Sequence, residues 1–465
     1  MPKPVTTYVC QSCGAVTRQF FGRCSQCGDW NSIVEQFESF ESQSKQRKRK
    51  NFNNFQSISE SIDAYEESHL TRFKTGYQEL DRVLGGGLVP GSLVLVGGDP
   101  GIGKSTLLLQ SATAIAKKDT VLYVSGEESA QQVRLRWQRL NFKTSNLKLL
   151  SETNLEIILQ ELESLKPAVA VIDSVQSIQD NNLSGTAGTV GQVRECSAAL
   201  QKIAKSQNTS IFLVGHVTKE GMLAGPKVLE HLVDVVITFE GDRFASHRLL
   251  RAVKNRFGAT NELGVFEMQG EGLCEITNPS EIFLSRDNAS GLSTIVACEG
   301  TRSIAIELQA LTSQTSYSTP RRTATGIETN RLHQILAVLE KHIGLNLSRF
   351  DCYLAVAGGV EVEEPAADLG IAAAIVSSFQ GLKIPSETVL IGEIGLGGQL
   401  RSVSQISQRL LEAHRLGFKK AVIPMGSGFK ATKEINLEIL EAKSVMEGLL
   451  LILGQDITKN ISSIN

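Results

Sequence analysis

Residues 93–106 read LVLVGGDPGIGKST, and this stretch decides the fold. An apolar run, Leu93 to Val96, passes straight into glycines, and the amphipathic helical pattern STLLLQSATAIA (105–116) follows. Between strand and helix, Gly98 to Ser105 fits the spacing G-x-x-x-x-G-K-[ST] at every position. Such glycines let backbone N–H groups wrap around phosphates at a helix N-terminus, where the dipole favours negative charge. The loop Gly98, Asp99, Pro100, Gly101, Ile102, Gly103, Lys104, Ser105 and Thr106 is therefore expected to hold ATP. Lys104 is placed to reach the β and γ phosphates and Ser105 to hold Mg2+, with Thr106 beside it.

Outward from this loop, short apolar runs alternate with helical patterns: TVLYVSG (120–126), AVAVIDS (168–174), IFLVGH (211–216) and DVVITFE (234–240). Fully apolar strands joined by helices describe an α/β fold, a largely parallel sheet covered on both faces. Asp173 ends one such strand, where a carboxylate meets the Mg2+ shell; a capping role in the next turn is the bland alternative. Glu127 and Glu128 stand just past another strand. A carboxylate there can polarise an attacking water, and Glu127 is the favoured base with Glu128 the lesser candidate. Both also read as charges that a helix N-terminus attracts.

The chain has 465 residues, enough for two or three domains, with 41% hydrophobic and 21% charged content. No apolar stretch suits a membrane span and no h-region opens the chain, so a cytoplasmic location is expected. A net charge of -2 excludes coating of nucleic acid by bulk charge; DNA binding would need local patches or a ring that concentrates them. The expected organisation is a cysteine module at 1–36, a flexible linker at 37–66, an ATPase domain at 67–280 and a further domain at 290–465. The linker is rich in Ser, Gln, Asn and charge and carries KQRKRK (45–50), a composition that buries no core. In the module, Cys10 and Cys13 form one C-x-x-C knuckle, and Cys24 and Cys27 a second. Four thiolates complete a tetrahedral Zn2+ site, and a module this small needs a metal staple; disulfides or free thiols are the alternative. Gly14 and Gly28 follow the second cysteine of each pair, where knuckle turns often use a left-handed residue.

Together, the four-cysteine finger, GDPGIGKST, VSGEES, VIDSVQ and above all Lys254-Asn-Arg-Phe-Gly258 resemble the bacterial RadA (Sms) family of DNA-repair proteins over essentially the whole chain. The resemblance implies a RecA-like ATPase core assembled as a homo-hexamer. It also implies DNA-stimulated ATP hydrolysis, and helicase-like processing of single-stranded and branched recombination intermediates with the RecA recombinase. KNRFG follows RLLRAV (248–253), which puts it near a sheet edge, and alternate cations Lys254 and Arg256 project together from an extended segment. By spacing alone this reads equally as a solvated basic turn or as a pair reaching a neighbour's γ-phosphate; the resemblance favours ATP hydrolysis in trans or DNA contact. Residues 180–192, and 217–229 with Lys219 and Lys227, resemble the DNA-facing loops of RecA-like cores. His216 stands where such cores keep a γ-phosphate sensor, or is a satisfied core histidine.

From about residue 290 the chain resembles the proteolytic domain of Lon, an α+β (S5-like) fold, through EEPAADLGIAAAIVSS (363–378), GEIGLGGQLRSV (392–403) and RLLEAHRLGFKKAVIP (409–424). Ala366 stands where that family has its serine, and Ser407 where it has its lysine. Peptidase activity is therefore not expected. Lys419 and Lys420 are candidates for a basic DNA surface, or ordinary solvated lysines. Three readings compete: a DNA motor, an ATP-dependent protease, and an ATP-gated switch acting on protein partners. Ala366 and Ser407 speak against the second, while the cysteine finger and KNRFG have no use in the third.

Overall fold

The computed structural model describes residues 6–10, 16–17, 19, 21–26, 28, 30, 33–37, 71–140, 144–215, 227–241, 247–260, 262–285, 287–429 and 435–454. Met1–Glu67 and Ser68–Asn465 are two compact units. In the first, β1 (Thr6–Cys10) pairs antiparallel with β2 (Val16–Thr17) and β3 (Ile33–Phe37). Gly28 N donates to the Cys24 carbonyl at 2.9 Å and Gly28 takes φ +76°, the left-handed turn that the knuckle spacing implies. Gly14 lies outside the described residues.

The second unit begins with α1 (Gln78–Val83), β4 (Leu93–Gly98), α2 (Lys104–Ile115), β5 (Val121–Ser125), α3 (Ala130–Arg139), β6 (Leu147–Ser151), α4 (Leu155–Leu165) and β7 (Val169–Asp173). It continues through α5 (Val190–Gln207), β8 (Ser210–Val214), α6 (Lys227–Leu232), β9 (Val235–Glu240), β10 (His247–Asn255), β11 (Leu263–Gln269) and β12 (Gly272–Glu275). These strands form one nine-stranded sheet in the order β12-β11-β10-β9-β4-β8-β7-β5-β6. From β9 to β6 all neighbours are parallel, and β10 to β12 are antiparallel. The apolar runs are continuous because both faces are covered. Val94 and Val96 pack with Leu107 and Leu108 of α2, while Leu93 and Leu95 share a core with Leu162 of α4 and Leu200 of α5.

The expectation of a strand ending at Val253 is corrected. β10 runs on to Asn255 and lies between β9 and β11, with β12 outside them. A register shift between Ala252 and Lys254 breaks the two-residue period, and the mixed burial of β11 and β12 hides them from a search for apolar runs.

The remaining residues build a seven-stranded mixed sheet, order β15-β16-β14-β13-β17-β20-β21. Its elements are β13 (Leu292–Glu299), β14 (Arg302–Gln314), β15 (Arg322–Thr325), α7 (Thr329–Val338), β16 (Phe350–Val356), α8 (Asp368–Gln380) and β17 (Thr388–Leu390). A small β18 (Glu393–Ile394) and β19 (Leu400–Arg401) ribbon precedes α9 (Ile406–Arg415), β20 (Lys420–Pro424), β21 (Glu438–Ala442) and α10 (Val445–Leu453). Helices α7, α8 and α10 cover one face and α9 the other. The turn between β13 and β14 docks on the nucleotide-loop portion of the same unit. Arg302 Nη1 meets Glu79 Oε2 at 2.6 Å, and Thr301 N donates to Glu262 Oε1 at 2.8 Å.

Candidate active site

Parallel strands bring their carboxyl ends to one margin of the sheet, and ligands bind in the crevice there. β4 delivers the glycine loop, β5 the two glutamates and β7 Asp173. Ser125 and Asp173 are register partners, so Glu127 and Asp173 arrive side by side. The result is a cleft of about 360 Å³ lined by Pro100, Gly101, Gly103, Lys104, Ser105, Thr106, Ser125, Glu127, Glu128, Arg136 and Asp173. Lys254 and Arg256 are not among these.

The loop's shape follows from two glycines. Gly98 takes φ +148°, and a Cβ there would stand 2.7 Å from the Phe239 carbonyl oxygen of β9. Gly103 caps α2 at φ +119°, where a Cβ would meet Met268 at 2.8 Å. Lys104 is 4% exposed, and its Nζ donates to the carbonyls of Gly98 at 2.7 Å and Asp99 at 2.9 Å. Burial holds its pKa below the ordinary lysine value, against the opposing pull of Asp173, Asp99 and Glu127. A buried ammonium resting on neutral carbonyls, at the wall of a polar cleft, suits a polyphosphate. The donor set fits Mg2+·ATP, with Ser105 and Asp173 as the oxygen groups near the metal.

The glutamates are held apart by chemistry. Ser125 Oγ donates to the Glu128 carbonyl at 2.8 Å and so pins the turn, and α3 begins only at Ala130, capped by Ser129 with a capping box from Gln132. Both glutamates therefore precede the cap, outside the first helical turn. The Glu127 Oε1 accepts a hydrogen bond from Ser174 Oγ, while Glu128 Oε1 is paired with Arg136 Nη2. Below them, the buried Tyr123 hydroxyl donates to Asp173 Oδ2 at 2.6 Å, and burial, then the Asp173 charge, push the phenol's pKa well up.

Tyr123, Arg136 and Ser174 escape a reading by motif. A tyrosine inside the aliphatic run TVLYVSG was the one visible signal, since a buried hydroxyl needs a partner. Tyr123→Phe should keep the fold, because Asp173 lies at an open cleft, yet lower Mg2+-dependent nucleotide affinity several-fold, about 1 kcal/mol for one hydrogen bond. A magnesium titration of nucleotide binding checks this, and unchanged magnesium dependence would contradict it.

Lys254 Nζ donates to the Val233 carbonyl at 2.8 Å and to that of Glu230, ending α6, and Arg256 Nη1 meets Asp234 Oδ1 at 3.1 Å. Both cations thus face the connection from α6 to β9. Burial lowers the Lys254 pKa, with Arg256 adding to the effect. The loop at 180–189 is polar, and Gln192 at the start of α5 is buried and bonded back to Asp180. His216, Lys219 and the Lys227 side chain lie outside the described residues. So do Cys13, Cys27 and the Cys10 side chain; Cys24 is 2% exposed. A buried cysteine on a tight turn, with three more in knuckle spacing, fits a thiolate-bound metal.

In the carboxyl-terminal sheet, Ala366 is buried just before α8, and α9 turns Ser407 outward and Arg409 inward. Arg409 is fully buried, with Nη1 and Nη2 each 2.6 Å from the Glu364 carboxylate. Lys419 pairs with Glu387 at 2.6 Å and Lys420 with Glu438 at 3.0 Å, so the candidate basic surface there is neutralised.

Comparison with known proteins agrees with this geometry. Residues 64–222 match the AAA domain family, 8–35 the rubredoxin metal binding domain, and 328–427 the subunit ChlI of Mg-chelatase. The DNA repair protein RadA of Synechocystis is 52% identical over 455 residues, covering 92% of this chain and 90% of that protein. RadA of Bacillus subtilis is 48% identical, covering 98% of this chain and all (100%) of its own. The chain belongs to the RadA family of DNA repair proteins. As a RadA-family protein it is an ATP-hydrolysing enzyme that acts on DNA, with an AAA-family nucleotide core and a metal-binding ribbon. Among the described residues, no helix is long and apolar enough to cross a membrane.

Proposed function

We propose that this RadA-family chain is a DNA-dependent motor that works as a homo-hexameric ring in the cytoplasm. It processes single-stranded and branched recombination intermediates together with the RecA recombinase, by branch migration and strand extension. The observation that carries the reading is the convergence of Lys104, Glu127 and Asp173 in one polar cleft, on a chain whose relatives repair DNA. In this account Lys104 binds the β and γ phosphates, Glu127 orients and deprotonates the attacking water, and Asp173 with Ser105 holds Mg2+, which neutralises phosphate charge. Thr106 and the loop amides from Gly98 to Gly103 hold the phosphates. Cys10, Cys13, Cys24 and Cys27 bind Zn2+ in a finger spanning 1–36, tethered through 37–66 to an ATPase domain at 67–280. The domain at 290–465 is a Lon-like scaffold without peptidase activity, since alanine at 366 offers no nucleophile.

Lys254 and Arg256 act on the nucleotide held by the neighbouring subunit. Their absence from the cleft of their own chain supports that reading, and each can leave its present partner at modest cost because both are partly exposed. Mixing tests it. Lys254→Ala chains should be folded and slow in hydrolysis, and so should Lys104→Ala chains. A mixture of the two should recover activity, because some interfaces then pair an intact Lys104 with an intact Lys254. Additive behaviour without recovery would restrict Lys254 to its own chain. The main experiment for the motor reading is DNA stimulation of hydrolysis.

A further inference from the structure

We propose that Arg136 contacts the γ-phosphate from within the same subunit and so distinguishes ATP from ADP. The inference rests on the reading of the cleft as an ATP site. Arg136 sits two turns into α3, whose start is fixed by the Ser129 capping box, and its side chain lines the same cleft as Lys104. Its guanidinium is half used: Nη2 is paired with Glu128 Oε1, and Nη1 is buried with no acceptor. A buried guanidinium N–H left without a partner is destabilising, so an acceptor is missing there.

Charge says which acceptor. Glu127, Glu128 and Asp173 all border the same space, and three carboxylates alone would repel the end of a polyanion. Lys104 is committed to the loop and the β–γ junction. Arg136 is the sole guanidinium lining the cleft among the described residues, and it stands on the side of the glutamates, where the terminal phosphate meets water. Its fork geometry allows one arm to stay on Glu128 while the other takes a phosphate oxygen. The pair with Glu128 has a second consequence: it engages the carboxylate that competes with Glu127 for the role of base. ADP has no phosphate at this position, so the contact is worth energy for ATP alone.

The test is equilibrium binding, by calorimetry, of a non-hydrolysable ATP analogue and of ADP, each with Mg2+, to the full chain. Arg136→Gln should weaken the analogue about 10- to 100-fold, the worth of a charge-assisted hydrogen bond, and leave ADP within about 2-fold. Arg136→Lys should recover part of the loss. Glu128→Gln guards against a misfolded arginine variant: freeing the guanidinium should keep analogue affinity at or above wild type. Equal weakening of both nucleotides by Arg136→Gln, or of neither, overturns the inference, as does a fall in analogue affinity for Glu128→Gln. A wild-type chain that binds neither nucleotide overturns the ATP reading and this inference with it, whereas loss confined to the Arg136 predictions leaves the ATP reading standing.

Discussion

Lys104→Ala should slow ATP hydrolysis to a trace while leaving the chain folded. The ammonium is the cation nearest the glycine loop, and removing one preorganised charge from such a site costs about 10³ in rate. The fold survives because its partners are the Gly98 and Asp99 carbonyls at a cleft wall, which water reaches once the side chain is gone. Steady-state hydrolysis and thermal melting of the same preparation check both halves; near-normal turnover would remove Lys104 from the mechanism. A pH dependence follows from the same residue. Burial lowers the Lys104 pKa, and the negative charge of a bound triphosphate raises it again. Between the lower and the higher value, binding takes up a proton, so ATP affinity falls as pH rises through that window. Calorimetry in buffers of different ionisation enthalpy reads the uptake directly.

Glu127→Gln has the second large effect, and it is of a different kind. Hydrolysis should fall by about 10²–10⁴ with ATP affinity within a few-fold of wild type, since the amide keeps the shape and loses only the base. Glu128→Gln should cost less than about 10-fold, because that carboxylate is already paired with Arg136. The contrast between the two variants carries the assignment. If Glu128→Gln is the slower enzyme, Glu128 is the base and the assignment is reversed.

What was legible in the sequence is what chemistry demands of neighbouring residues. The glycine loop is contiguous, so its nine positions could be read in a row, and the buried parallel strands announce themselves by apolar runs. Glu127 and Asp173 were legible because each follows directly from such a run. Tyr123, Ser174 and Arg136 are joined to the site only across strands or along a helix face, and no spacing in the chain encodes the contact of Tyr123 with Asp173. The half-exposed strand β6 and the antiparallel pair β11 and β12 are not buried along their whole length, so they lack the run that revealed the centre. For that reason the two strands that separate KNRFG from the nearest edge were not seen in advance. The lysines at 419 and 420 looked available because their partners, Glu387 and Glu438, come from other strands and turns.

The most direct measurement of the central claim is steady-state ATP hydrolysis by the purified chain with and without single-stranded DNA. The motor account predicts a clear rise in rate that saturates with DNA and is absent in Lys104→Ala. A rate indifferent to every DNA tried would leave the nucleotide cleft standing but contradict the motor, and would point to an ATP-gated switch acting on protein partners.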